Sequence, residues 1–211
     1  MFGHCRRKMS GGYALLFFIP ILALACGSLD GADSGSLLRI EKIEPNYFGE
    51  STNQVDVIRD LCEGDPPKPE PYTDHYAVVA FTNRSLPNAQ EMTASMVYLA
   101  EYSIDFTPAT TGTPPLPSNF NPCGEPYQRC PITETVGIQP CEPGRTSCPQ
   151  TEFTVELVPV RQKAVLAGSL TGQLQYNVHY KFYGSNDFGE RVSSEGSTFI
   201  YVSNYDFCEG G

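Results

Sequence analysis

The sequence predicts an all-β protein built as a single β-sandwich. Several segments of seven to ten residues alternate apolar and polar side chains with period two, as half-buried antiparallel strands do. Clusters of Gly, Pro, Asn and Asp separate them, and no segment carries a sustained helical stripe. Seven or eight such strands punctuated by turn signals suit two packed sheets.

Along the chain, "LLRIEKI" (37–43), "VDVIRDL" (55–61) and "YAVVAFTN" (76–83) are the first strand candidates, with imperfect alternation. "YLAEYSIDF" (98–106) puts Tyr98, Ala100, Tyr102, Ile104 and Phe106 on one face and Glu101, Ser103 and Asp105 on the other. "EFTVELV" (152–158) groups Phe153, Val155 and Leu157. "LQYNVHYKFY" (174–183) sets Leu174, Tyr176, Val178, Tyr180 and Phe182 against Gln175, Asn177, His179 and Lys181. "STFIYVS" (197–203) closes the series, with "GSNDFGE" (184–190) as the turn before it. The stretch from Tyr176 to Cys208 resembles the last two strands of an immunoglobulin-like or fibronectin-type domain. The resemblance is architectural, covers about half the chain and implies a sandwich of that kind. The Cys, Trp, Cys pattern is not met, because the chain has no tryptophan.

One region departs from this rhythm. Residues 108–149 contain ten of the eighteen prolines and, apart from "ITETVGI" (132–138), few alternating apolar residues. They read as a long proline- and cysteine-rich insert of about 108–150, unusual inside a compact domain. Within it "CGEPYQRCP" (123–131) and "CEPGRTSCP" (141–149) repeat one figure, Cys, six residues, Cys, Pro.

The amino terminus reads as an export signal. Arg6, Arg7 and Lys8 precede an apolar run from Tyr13 to Ala25, which is short for a membrane span. "LALAC" then resembles the lipobox of bacterial lipoproteins, with Ala23 where leucine is commoner. That resemblance implies cleavage before Cys26 and acylation of Cys26 as the lipid anchor. No aspartate follows Cys26, which in that family implies the outer membrane. The chain is therefore expected to divide into a signal peptide (1–25), a lipidated Cys26 with a flexible Gly-, Ser- and Asp-rich tether (26–36), and the sandwich (37–211). The whole is also similar to small uncharacterised surface lipoproteins of Gram-negative bacteria.

Loss of Arg6, Arg7 and Lys8 takes the net charge from −10 to −13. A chain this acidic has no basic face for phosphates, which argues against nucleic acid as a partner. Of eight cysteines, Cys5 leaves with the signal and Cys26 is the anchor, so six remain. Exported thiols usually pair. Six intervening residues are too many for paired zinc ligands, and no Cys-x-x-Cys occurs for redox or haem chemistry. The two figures read as copies, so the expected pairs are Cys123 with Cys130, Cys141 with Cys148, and Cys62 with Cys208. A nested arrangement, Cys123 with Cys148 and Cys130 with Cys141, is the competing one. A ring of about eight residues contributes about 2.5 kcal/mol by the chain-entropy model.

No catalytic, cofactor or metal motif is present. After processing only His75 and His179 remain. His179 falls on the polar face of a strand, and His75 follows Asp74 at a strand start, where Asp reads as turn chemistry. Asp187 and Glu190 lack the spacing of an EF-hand loop and read as a plain turn. The expectation is a non-enzymatic, lipid-anchored envelope module that binds or scaffolds a protein or glycan partner. The alternative is an envelope hydrolase or other enzyme with a site built from scattered residues.

Overall fold

The computed structural model describes residues 36–64, 66–85, 95–124, 127–142 and 144–208. The expected signal peptide, Cys26 and most of the tether lie outside the described residues. Strands β1 (Ser36–Tyr47), β2 (Glu50–Ser51), β6 (His75–Ser85) and β9 (Thr151–Val158) form one sheet in the order β2-β1-β6-β9. Strands β3 (Gln54–Asp56), β7 (Val97–Pro108), β8 (Cys130–Ile138), β10 (Leu174–Asn186) and β11 (Arg191–Ser203) form the other, ordered β3-β11-β10-β7-β8. A two-stranded ladder of β4 (Leu61–Cys62) and β5 (Lys68–Pro69) lies outside both. The protein is thus an all-β structure with two packed sheets.

The core sits between the sheets and follows from alternation. In β10 Leu174, Tyr176, Val178, Tyr180 and Phe182 are all buried, while Asn177 and His179 face outward. Phe182 meets Phe81 of β6 edge-on at 4.9 Å and stacks with Tyr102 at 5.5 Å. Each such side chain contributes about 1.5–3 kcal/mol of burial. The partner pairing β10–β11 runs unbroken from Leu174↔Val202 to Ser185↔Arg191.

Four elements differ from the sequence reading. First, Tyr98 and Ala100 do not share the face of Tyr102. Val97 and Leu99 are buried instead, and Tyr98 is 37% exposed. A bulge at Ala100 shifts the register on both sides of β7, so the inward face changes parity there. Gly184 lies against the bulge, because a Cβ on it would fall 2.2 Å from the Tyr98 carbonyl oxygen. Second, the 108–150 region is not an uninterrupted insert: Cys130–Ile138 is the sheet strand β8, paired with β7. Before it, Leu116 and Phe120 pack on the core, with Phe120 edge-on to Phe106 at 5.1 Å, so this region does have apolar anchors. Third, "VDVIRDL" is not one strand: only Val55 and Asp56 lie in β3, which runs parallel to β11, and Leu61 begins β4. Fourth, a helix α1 (Val160–Ala167) joins β9 to β10. Its eight residues bury only Lys163 and Leu166, too little of a stripe to show as a helical period. No residue caps it from within; the Asp74 carboxylate instead accepts the Val160 N–H at 2.6 Å.

Three disulfides are formed: Cys123–Cys130, Cys141–Cys148 and Cys62–Cys208. No helix among the described residues is long and apolar enough to cross a membrane.

Candidate functional site

Strands β8 and β9 follow one another in the chain but belong to different sheets, and each is an edge strand. Between them opens a groove of about 770 Å³. Its β8 wall is the stretch from Pro131 to Glu134. That stretch bows away from β7, since Val136 pairs with Leu99 but Pro131 already pairs with Glu101. Five residues of β8 thus span two of β7, and side chains of the bow face the groove rather than a ladder partner. The β9 wall runs from Glu152 to Glu156. Ile132 and Phe153 are half-buried in it, and Glu134 and Glu152 are exposed at it.

One of the two eight-residue rings borders this groove. Cys123 and Cys130 line the groove, and the Cys123–Cys130 ring enters β8 directly. At the other end of β8 the chain pins itself to the opposite sheet: Pro140 bridges to Asn83, and the Cys141 N–H donates to the Asn83 carbonyl at 2.7 Å. The Cys141–Cys148 ring then leads into β9. Arg161 closes the first end, donating to Glu156 at 2.8 Å and to the Pro122 carbonyl. The Glu156 N–H donates to the Tyr102 hydroxyl at 3.2 Å, and burial drives that phenol well above its ordinary range.

A second concentration of polar groups is sealed at one end of the sandwich. Asp56, Glu70, His75 and Lys163 are each at most 1% exposed. They come from β3, the strap after β5, the start of β6 and α1. The His75 ring stacks on Tyr47 at 4.0 Å, and its Nε2 donates to the Gln54 carbonyl at 3.0 Å. Burial, with Lys163 nearby, holds the imidazole down at about 3, so it is neutral. The Lys163 ammonium lies over the Tyr72 ring at 4.2 Å and the Tyr47 ring at 5.0 Å, and burial lowers it to about 8. Asp56 accepts the Tyr205 N–H at 3.1 Å and the Ile58 N–H at 3.3 Å. Its carboxyl meets that of Glu70, which burial and then Asp56 push up to about 7. Two carboxylates offer each other no donor, so a proton on Glu70 supplies the hydrogen bond.

His75 is therefore in the sealed cluster and His179 is not. His179 is exposed on β10 beside Glu195 at 3.5 Å, and neither histidine lines the groove. Asp187 and Glu190 serve the β10–β11 turn. Asp187 accepts the Met96 N–H, Glu190 accepts from the Asn186 side-chain amide, and Asn186 Oδ1 accepts the Phe188 and Glu190 N–H groups. Asn83 is fully buried and its amide donates to the Ser95 and Ile138 carbonyls.

The groove could be suspected from the Cys-flanked "ITETVGI" segment, but the cluster had no local signal. Asp56 sits in an alternating stretch, Glu70 between two prolines and Lys163 in a polar "RQK". What these features define is a two-sheet domain with an open seam between sheet edges and a buried ionisable cluster at one end. No protein-family model, no curated protein and no solved structure matches the chain.

Proposed function

We propose that this chain is a non-enzymatic, lipid-anchored protein of the bacterial outer membrane, and that it binds an extended polypeptide segment in the β8–β9 groove. The observation that carries the reading is the groove between two edge strands, with the Cys123–Cys130 disulfide in its wall. Edge strands present unpaired backbone donors and acceptors that an added strand satisfies.

The strand order supports an immunoglobulin-like reading of the sandwich. With β1, β6 and β9 as strands A, B and E, and β7, β8, β10 and β11 as C, C′, F and G, the sheet neighbours match that fold. In this reading the outer edge of β9 is the place of strand D, and among the described residues no strand pairs there. An incoming strand would take that place. Glu134 and Glu152 favour a segment with basic side chains at alternate positions, while Ile132 and Phe153 receive the apolar ones between.

Panning displayed linear octapeptides on the mature chain tests the groove. Alternating basic and apolar peptides should be enriched, and their binding should fall at least about tenfold with Glu152→Lys or Thr154→Pro. Glycan-array binding without peptide binding would replace the polypeptide with a glycan, and a blank in both would refute the module. The anchor rests on "LALAC" and has its own test. An alkyne fatty acid should label the wild type and not Cys26→Ser; label persisting in the mutant refutes it.

A further inference from the structure

We propose that the Tyr102 hydroxyl caps the β9 edge of the groove and so fixes how a bound segment lies: antiparallel to β9, hydrogen-bonded to the backbone of Glu152 and Thr154, and no further. With the groove as a polypeptide site, on which this rests, Tyr102 is the residue that sets register and length there.

One hydrogen bond reveals which way the edge faces. Tyr102 belongs to β7 in the other sheet, and its ring packs on Phe182 at 5.5 Å and on Tyr180 at 6.2 Å. Its hydroxyl accepts the Glu156 N–H at 3.2 Å. That amide therefore leaves β9 on the side away from β6. Successive residues of a strand turn their backbone groups to opposite edges. From Glu152↔Ala80 to Glu156↔Tyr76 the β6–β9 register does not shift. The N–H and C=O groups of Glu152 and Thr154 thus share the outward direction of Glu156, and those of Phe153 and Val155 serve the ladder to β6. Among the described residues no strand pairs with the outward set.

Two rungs are open and the next is shut. At Glu156 the Tyr102 oxygen takes the N–H that the carbonyl of an added strand would otherwise take. The ring is buried in the core, so it holds that position. Arg161 and the Cys123–Cys130 disulfide line the same end of the groove.

The open rungs define a sequence. In an antiparallel pair the residues opposite Thr154 and Glu152 each exchange both backbone bonds. The segment runs from the Tyr102 end toward Glu152, so the residue opposite Thr154 comes first. Both side chains fall on the face of Thr154 and Glu152, which is exposed, and Glu152 selects a basic partner. The residue between them faces the half-buried Phe153 and is apolar, with its own N–H turned away from β9. The recognised unit is polar, apolar, basic, in chain order.

The test has one arm without peptide and one with it. Thr154→Pro deletes an outward N–H and should lower the melting temperature by at most about 5 °C, whereas Val155→Pro deletes a donor to β6 and should fail to fold. Equal losses in the two variants would overturn the edge assignment. The second arm N-methylates a peptide enriched by panning, one backbone position at a time. Binding should fall at least about fivefold at the two polar positions and less than about twofold at the apolar position between them. Tyr102→Phe keeps the ring packing and frees the Glu156 N–H, so a third sensitive position should appear two residues nearer the amino end of the peptide. A flat scan, sensitivity at the apolar position, or a scan unchanged by Tyr102→Phe would overturn the cap and leave the peptide groove standing. No peptide bound at all would refute the groove and the cap together.

Discussion

His75 should give the domain an acid-sensitive stability that a single substitution removes. The imidazole is fully buried under Tyr47, and burial holds it at about 3. An unfolded histidine titrates near 6.5. Below that pH the unfolded chain takes up a proton that the folded chain refuses. The contribution of His75 is therefore complete above pH about 6.5 and is lost as pH falls toward 3. At about 1.4 kcal/mol per pH unit, lowering the pH from about 7.5 to about 4.5 removes roughly 2.5 kcal/mol. The carboxyls of Asp56 and Glu70 act in the opposite direction, since their raised values favour the folded state as pH falls. The clean quantity is thus the difference between wild type and His75→Gln, whose amide can still donate to the Gln54 carbonyl. Guanidinium unfolding at the two pH values measures it. The wild type should lose about 2–3 kcal/mol relative to the variant on acidification. Parallel pH profiles for the two proteins would show that His75 is not buried neutral, and the packing argument would fall.

Other outcomes follow from the same contacts. Gly184→Ala should lose at least about 3 kcal/mol or fail to fold, because its Cβ would strike the Tyr98 carbonyl; a near-neutral thermal melt would refute the bulge. Lys163→Met should gain about 1–3 kcal/mol at neutral pH by removing a buried ammonium. That advantage should shrink above pH about 8, where the folded wild type sheds its proton first, and a loss at neutral pH would count against the reading. Replacing Cys123 and Cys130 together by serine should cost about 2 kcal/mol and weaken peptide binding at the groove, which denaturant midpoints and titration would show. Trypsin without reductant should leave one assembly of three peptides, in which the 130–145 peptide is bonded both to the peptide ending at Arg129 and to the peptide beginning at Thr146; a 130–145 peptide free of the other two would mean nested pairing.

Local alternation carried the strands that lie fully between two faces of unlike polarity. The ten residues from Leu174 to Tyr183 show their burial on inspection, because no register shift interrupts β10 over this span and its alternation keeps one parity. The same reasoning failed at Ala100, where one extra residue reverses the inward face and only the neighbouring β10 and β8 reveal it. It also missed α1, whose two turns are held by Asp74 from another segment rather than by its own pattern. The groove needed the knowledge that consecutive strands β8 and β9 join different sheets, a fact of topology that no spacing encodes. The ionisable cluster needed more still. Asp56, Glu70, His75 and Lys163 are spread over more than a hundred residues and look locally like surface or turn positions. The sequence by itself determined an all-β chain with three pairs of bonded cysteines. Tertiary structure alone decided which polar groups are buried together, because burial is set by what distant segments cover and not by the residues beside each one.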